Sequence, residues 1–363
     1  MKLPGAILGV IALAACSGLG PTPAELAATL PPRVELSEEQ RAQVEAATAQ
    51  ALSQLRKEHY DEARRAAQAA LDLDPRAATA RAVRARCTMQ EAMVETPPLL
   101  GPWRRAEGNL RIAERLLPAD PEIALLHAAF LEADGHLSLA AETVERALGT
   151  HPHHPRCLRM ASRLRYELGE ERTALPLLES LLKIDPSDDT ARYRLARAQL
   201  RVARTRASQL DDDAEKIALY ENTATSFAIY RSRVPADAEG LTGEAVARFE
   251  IQRLSKPPDP AELHSIVELL TTASRMDTQS PESEFNRGVV LEFAGAPEAA
   301  RAAYRVALER DPEHLPSLLN LAANLVAAGR RAEAVEFCRR ALALSPTSAE
   351  RASLQRFLAS SPG

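Results

Sequence analysis

The fold of this chain is decided by the stretch GHLSLAAETVERALGTHP at residues 135–152, whose plan returns as GEERTALPLLESLLKIDP at residues 169–186. Each stretch begins with glycine, continues as a helix with small residues on one face, and ends at proline. The two stretches start 34 residues apart, and the same step joins Ala140 to Ala174. A fixed period of this length predicts a repeat architecture, in which each unit buries its apolar face by stacking on its neighbours.

The same 34-residue step recurs elsewhere in the sequence. The residues that keep it are Ala106, Ala140 and Ala174; Gly135 and Gly169; Pro118, Pro152 and Pro186; and, near the C-terminus, Ala300 and Ala334, Ala307 and Ala341, and Pro312 and Pro346. The alanines let two helices pack closely, the glycines end the first helix in a left-handed turn, and the prolines stop the second helix. The pattern therefore predicts a row of helical hairpins.

This pattern resembles the tetratricopeptide repeat, a helix–turn–helix unit of 34 residues. The resemblance implies an all-α fold, a right-handed superhelix of helical hairpins with about eight repeats and a C-terminal capping helix. The predicted repeats cover residues 44–77, 78–120, 121–154, 155–188, 189–237, 238–280, 281–314 and 315–348 of a superhelix at 37–348, and the capping helix and tail cover 349–363. The second, fifth and sixth repeats carry insertions, near residues 95–103, 204–237 and 255–262, so their exact register stays open.

The composition suits this fold and excludes some functions. Aromatic residues make up 4 % of the 363 residues, so the core must be built mainly from Ala, Leu and Val, which suit close-packed helices. The formal net charge of −5 gives no overall attraction to nucleic acid, and we predict no nucleic-acid partner. Since the sequence holds no HExxH, GxSxG or phosphate-loop pattern, we predict no enzyme, no cofactor and no small-molecule substrate.

The N-terminus, MKLPGAILGVIALAACSGLG, predicts a membrane anchor. One lysine precedes an apolar run that is too short to span a bilayer. The run ends in LAAC, which resembles the lipobox of bacterial lipoproteins. That resemblance implies a signal peptide at 1–15, lipid on Cys16, and a lipid-anchored location in the bacterial cell envelope, at the outer membrane facing the periplasm. Residues 16–36 are rich in proline and are expected to be a flexible tether. An ordinary secretory signal with a coincidental cysteine is the alternative.

In tetratricopeptide superhelices the first helix of each repeat lines a concave groove that binds peptides or partner helices. By this resemblance, the fourth and fifth repeats would place a cationic wall along the groove. Its residues are Arg156, Arg159, Arg163, Tyr193, Arg194, Arg197 and Arg201. Because arginine donates paired hydrogen bonds to carboxylates, an acidic peptide would suit this wall. The alternative is a solvated face in an arginine-rich chain.

The seventh and eighth repeats predict a different groove surface. Asn286 and Asn320 lie 34 residues apart, at the position where several peptide-binding members of the family hold a ligand backbone with asparagine. An amide both donates and accepts hydrogen bonds, which matches a peptide unit. Phe285, Val289 and Phe293 would make this end of the groove apolar. Ordinary exposed asparagines are the alternative.

Histidine and cysteine cluster in HPHHPRC at residues 151–157, as zinc ligands often do. The residues concerned are His151, His153, His154 and Cys157. They fall at the junction of the third and fourth repeats, where the prolines would hinder convergence of the imidazoles, so we favour a solvated turn. A metal-binding protein or an enzyme that uses this cluster is the alternative. Cys87, Cys157 and Cys338 are expected to be buried thiols.

Together these features predict a membrane-anchored periplasmic scaffold that binds a partner peptide or helix in its groove. In outline it resembles the pilotin-like lipoproteins that serve assembly of cell-envelope complexes. The alternative is an adaptor that recruits envelope-remodelling enzymes such as peptidoglycan hydrolases. An extended peptide ligand would favour the first function, and a folded partner would favour the second.

Overall fold

The computed structural model describes residues 30–94, 99–344 and 347–360, and within these residues every regular element is an α-helix. Counted over this part of the chain there are 17 helices, which we number α1 to α17. Their bounds are α1 Glu38–Arg56, α2 Tyr60–Leu73, α3 Ala78–Ala92, α4 Leu100–Leu116, α5 Pro121–Ala133, α6 Leu137–Thr150, α7 Pro155–Glu167, α8 Glu171–Ile184, α9 Asp189–Ala207, α10 Asp213–Arg233, α11 Ala238–Leu254, α12 Pro260–Met276, α13 Glu282–Phe293, α14 Pro297–Arg310, α15 Leu315–Ala327, α16 Arg331–Ala343 and α17 Ser348–Ala359. None of the helices described is long and apolar enough to cross a membrane.

The helices pair in sequence, each odd-numbered helix with the even-numbered helix that follows it, and α17 packs on α16. Within each unit, neighbouring odd-numbered helices also contact each other across repeats: α1 with α3, α3 with α5 and α5 with α7 in one, and α9 with α11 and α11 with α13 in the other. Such contacts align the first helices of successive hairpins on one face of an array. Over the described residues, the predicted all-α fold of helical hairpins with a C-terminal helix is confirmed.

The chain divides into two compact units, residues 1–186 and residues 187–363. Of the described helices, α1 to α8 belong to the first unit and α9 to α17 to the second. Each unit is built from four helical hairpins, and the second unit also holds the capping helix α17.

The repeat residues do what their spacing predicts. The glycines between the two helices of a hairpin take the left-handed conformation, with φ between 74° and 83° at Gly135, Gly169, Gly295 and Gly329. The repeated alanines Ala106, Ala140, Ala174, Ala300 and Ala334 are fully buried, so the helices of each hairpin approach closely. All three cysteines that the structure describes are buried and unpaired, which confirms the expectation of buried thiols.

Candidate functional site

A groove in the second unit follows the first helices of its hairpins. Two cavities, of about 520 Å³ and about 440 Å³, lie along it, and most of their lining comes from α9, α11, α13 and α15. Both cavities are lined by Arg204, Val246 and Asn286, so they form one continuous groove. We call the larger one the apolar cavity and the smaller one the polar cavity.

The apolar cavity is built around three phenylalanines, Phe249, Phe285 and Phe293. The rings of Phe249 and Phe293 meet edge to face with their centroids 5.4 Å apart. The rest of the apolar lining comes from Ala245, Val246, Leu270, Val289 and Val290. Phe293 nevertheless stays 42 % exposed, so this surface keeps apolar area that a ligand could cover.

Two amides line the same cavity. The Nδ2 of Asn286 donates to the Glu282 carbonyl oxygen at 2.8 Å. The Oδ1 of Asn286 takes no part in that hydrogen bond. The Nδ2 of Asn320 donates to the Tyr304 hydroxyl at the long distance of 3.4 Å. The structure thus brings together all five residues predicted from the seventh and eighth repeats: Phe285, Asn286, Val289, Phe293 and Asn320.

Helix α13, which carries four of these five residues, is held against α14 by a close contact at Gly288. A Cβ atom added to Gly288 would lie 2.4 Å from the Tyr304 ring, so the helices can approach this closely only at glycine. Tyr304 is buried and donates to Glu292 at 2.8 Å. Burial and the bond to Glu292 raise the pKa of the Tyr304 hydroxyl, so it remains a neutral donor.

The predicted arginines of α7 lie in the first unit, where carboxylates of the same unit already bind them. The ion pairs are Arg156 with Glu122 at 2.6 Å, Arg159 with Asp185 at 3.1 Å, and Arg163 with Glu132 at 2.7 Å. The Arg163–Glu132 pair is bidentate, and its hydrogen bonds raise the pKa of Arg163. These pairs neutralise much of the positive charge that the sequence places on this helix.

The predicted residues of α9 lie in the second unit. Arg197 lines the polar cavity and donates to the Tyr193 hydroxyl at 2.8 Å and to Glu239 at 3.1 Å. Tyr193 also bonds Glu239, and burial together with that carboxylate raises the pKa of Tyr193. Arg194 is half-buried and Arg201 is exposed. A wall shared by the arginines of α7 and α9 would span both units, and it stays a prediction.

The carboxylate partners of these arginines were not predicted from the sequence, although the repeat period contains a signal for one of them. Glu122 and Arg156 are 34 residues apart, so they occupy equivalent positions in consecutive repeats and face each other. The groove also contains Arg204, Val246 and Phe249, which were not predicted from the sequence. These residues belong to the fifth and sixth repeats, whose insertions obscure the register.

Two histidines of the cluster form hydrogen bonds with neighbouring residues. His154 is the N-cap of α7, with its Nδ1 accepting from the Cys157 backbone N–H at 3.3 Å. His151 bonds the Thr150 hydroxyl at 2.8 Å. Burial raises the pKa of the Cys157 thiol to about 12, which disfavours the thiolate that a metal needs. Within the described ranges, no group of three or more His, Cys, Asp or Glu side chains could hold a metal ion.

Several predicted features lie outside the described residues. They are the signal peptide at 1–15, the lipidation site Cys16, the tether as far as residue 29, residues 95–98 of the first insertion, the repeat proline Pro346, and residues 361–363 of the tail. The anchor and the location in the envelope therefore stay predictions.

Two family models match the chain, and both describe a tetratricopeptide repeat. One matches residues 48–91 and the other residues 294–356. No curated protein matches the chain.

Solved structures with a similar fold include other tetratricopeptide proteins. TTC0263, a thermophilic tetratricopeptide protein of Thermus thermophilus, is 23 % identical over 56 % of this chain and 99 % of that one, with a TM-score of 0.44. YrrB, described as a tetratricopeptide protein with an unusual peptide-binding site, is 16 % identical over 60 % of this chain and 100 % of that one, with a TM-score of 0.42. A chain of the Naa15/Naa10 complex bound to HypK-THB is 14 % identical over 87 % of this chain and 44 % of that one, with a TM-score of 0.49. Scores this low carry no information about the partner of this chain.

The family matches fall in the first hairpins and in the last ones, and the described helices between them pair in the same way. Stacked hairpins of this kind present extended surfaces on which other proteins bind, so the fold is an interaction scaffold. The chain carries tetratricopeptide repeats at residues 48–91 and 294–356.

Proposed function

We propose that this protein is a lipid-anchored scaffold of the bacterial cell envelope that holds an extended peptide of a partner protein in the groove of the second unit. The observation that carries the proposal is the apolar cavity, where phenylalanines and two amides converge. Its volume of about 520 Å³ falls within the usual range for ligand sites, about 300–1,000 Å³. Such a site can bury one or two large side chains of a peptide.

The spacing of the two amides supports an extended ligand. Asn286 lies on α13 and Asn320 on α15, which are first helices of consecutive hairpins. The Nδ2 of Asn324 on α15 donates to Glu292 on α13 at 2.9 Å, so the two helices are neighbours, and about three residues of extended chain would cover a distance of roughly 10 Å between the amides. The two side chains could then hydrogen-bond successive peptide units of one segment, as the resemblance to asparagine-bearing members of the family implies.

The anchor gives the proposed cellular setting. Lipid on Cys16 would hold the protein at the membrane, because each buried methylene adds about 0.8 kcal/mol and several acyl chains make release negligible. The proline-rich tether would set the helical array away from the membrane surface. A scaffold placed in this way would serve the assembly of an envelope complex. The alternative, an adaptor for folded remodelling enzymes, would need a broader contact surface than this cavity.

The anchor is tested with Cys16→Ser in the full chain. We expect the variant to lose the lipid, so that it becomes soluble or stays an unprocessed precursor, while Ser17→Ala behaves as the wild type. Membrane fractionation and intact-mass measurement give the readout. An unchanged mass and unchanged membrane association in Cys16→Ser would overturn the lipoprotein assignment.

The groove is tested by placing a photo-crosslinking amino acid at Phe293 in intact cells. A control carries the same amino acid at Ile229 on α10, which is 45 % exposed, close to the 42 % of Phe293, but is not among the residues that line either cavity. We expect a discrete crosslinked species from position 293 that is absent from position 229. Equal crosslinking from both positions would contradict binding in the groove.

A further inference from the structure

We infer that the groove selects peptides in which one bulky apolar side chain stands within two residues of a single acidic side chain. This inference rests on the function proposed above and names the chemistry of its ligand. It follows from three features of the second unit: the apolar cavity, one cation at its edge, and carboxylates that already have partners.

The apolar part of the ligand follows from the cavity lining. Phe249, Phe285 and Phe293 present ring edges and faces, with Val246 and Val289 beside them. An aromatic or long aliphatic side chain would gain contact area here, whereas a polar one would lose its water without finding partners. The exposed part of the Phe293 ring would be covered by such a side chain.

The acidic part of the ligand follows from Arg204. This residue lies on α9, is exposed, and lines both cavities. The hydrogen bond from His314 and the charges of Arg197 and Arg204 lower the pKa of Glu282, but throughout the part of the chain that the structure describes the Arg204 guanidinium makes no hydrogen bond or ion pair. The two other arginines of the groove are paired, Arg197 with Glu239 at 3.1 Å and Arg253 with Glu250 at 3.0 Å. A ligand carboxylate would therefore meet one open guanidinium.

The carboxylates of the groove explain why the ligand should carry one acid rather than many. Five of them line the two cavities, and each already has a partner. Glu239 accepts from Arg197, Glu250 from Arg253, Asp277 from the backbone N–H groups of Gln279 and Ser280, and Glu292 from Tyr304 and Asn324, while Glu282 lies 3.4 Å from the His314 ring. A basic ligand would have to displace these partners, and a polyacidic ligand would be repelled by the carboxylates.

The spacing follows from the residues that the cavities share. Arg204 and Asn286 line both cavities, so the cation and an amide lie at the boundary between the apolar and the polar parts of the groove. Two residues of extended chain cover about 7 Å, which suits a short step from the apolar cavity to this boundary. The Asn286 Oδ1 could accept the peptide N–H between the two side chains.

The experiment is affinity selection from a random library of octapeptides with blocked ends, using the full chain. We expect wild-type protein to enrich peptides with Phe, Trp, Leu, Ile or Met within two positions of one Asp or Glu. Arg204→Glu should keep the apolar preference and replace the acidic one by Lys or Arg. The matched control is Arg206→Glu. Arg206 is exposed on the same helix but lines neither cavity, so this variant should select the same peptides as the wild type.

A titration then measures the contact directly. The best wild-type peptide should bind about tenfold more weakly when its acid is changed to the amide, and that change should have no effect on Arg204→Gln. An acidic preference that persists in Arg204→Glu, or apolar peptides without any acidic preference, would overturn this inference and leave the proposed function standing. Failure of the wild-type protein to enrich any peptide would instead overturn the proposed function.

Discussion

The arginines of α7 and the groove of the second unit differ in how far their polar groups are already satisfied. In the first unit, each of Arg156, Arg159 and Arg163 bonds a carboxylate of the same unit. In the second unit, Arg204 has no such partner in the described structure, and Phe293 keeps 42 % of its surface exposed. The arginines of the first surface already have carboxylate partners. The second surface leaves apolar area and a cation available to a ligand.

This difference bears on where a partner would bind. A guanidinium that already holds a bidentate carboxylate must give up that bond before it can hold a ligand, so its contribution to binding is small. An apolar cavity with a few polar groups at its edge has no such competitor. Arginine content alone therefore does not identify a binding surface; what matters is whether each arginine is already paired.

The largest expected effect concerns the wall of the apolar cavity. Gly288→Ala should lower the free energy of unfolding by about 1–3 kcal/mol, because the new Cβ would overlap the Tyr304 ring. Gly149→Ala is the control, since nothing lies within 4 Å of its added Cβ, and it should leave stability unchanged or slightly raised. Denaturant unfolding followed by circular dichroism measures both. Equal stability of the two variants would show that α13 is not held as described.

The next effect concerns the two amides. Asn286→Ala combined with Asn320→Ala should weaken an extended peptide by about 5- to 150-fold, the loss expected for two hydrogen bonds of about 0.5–1.5 kcal/mol each. Because amides carry no net charge, this loss should change little with salt. Fluorescence anisotropy at low and high ionic strength gives the measurement, and Asn222→Ala on α10 serves as control. Full binding by the double variant would show that the two amides do not contribute to peptide binding.

The smallest effect concerns the ion pairs of the first unit. Glu132→Gln should lower the free energy of unfolding by about 1 kcal/mol, since it weakens a bidentate and partly exposed pair with Arg163. The loss should shrink as salt rises. Glu179→Gln, an exposed change on α8, should have no measurable effect. A loss of several kcal/mol would mean that the pair stabilises the first unit far more than its exposure implies.

Much of the fold was predictable because the same residue types recur at equivalent positions of successive repeats. Alanines at close helix contacts and glycines at four left-handed turns recur with the 34-residue step, so the hairpins that carry them could be placed from the sequence. The apolar end of the groove was predictable for the same reason, because Asn286 and Asn320 keep that step.

The rest of the site depends on contacts that the 34-residue period does not predict. Arg204 and Phe249 lie in repeats whose insertions break the register, so their place in the groove could not be counted from a neighbouring repeat. Arg163 and Glu132 are 31 residues apart, not 34, and meet because their side chains reach across adjacent helices. Pairing of this kind depends on side-chain conformation, which the sequence pattern does not specify.

We propose that the groove of the second unit, and not the arginine-bearing face of α7, binds the partner peptide. The direct measurement is calorimetric titration of the best library peptide against Phe293→Ala and Arg159→Glu, two sites of similar exposure, 42 % for Phe293 and 44 % for the Arg159 side chain. We predict that Phe293→Ala weakens binding by about 30-fold, as loss of an aromatic anchor does, and that Arg159→Glu stays within about twofold of wild type. A large loss in Arg159→Glu with full binding by Phe293→Ala would contradict the account.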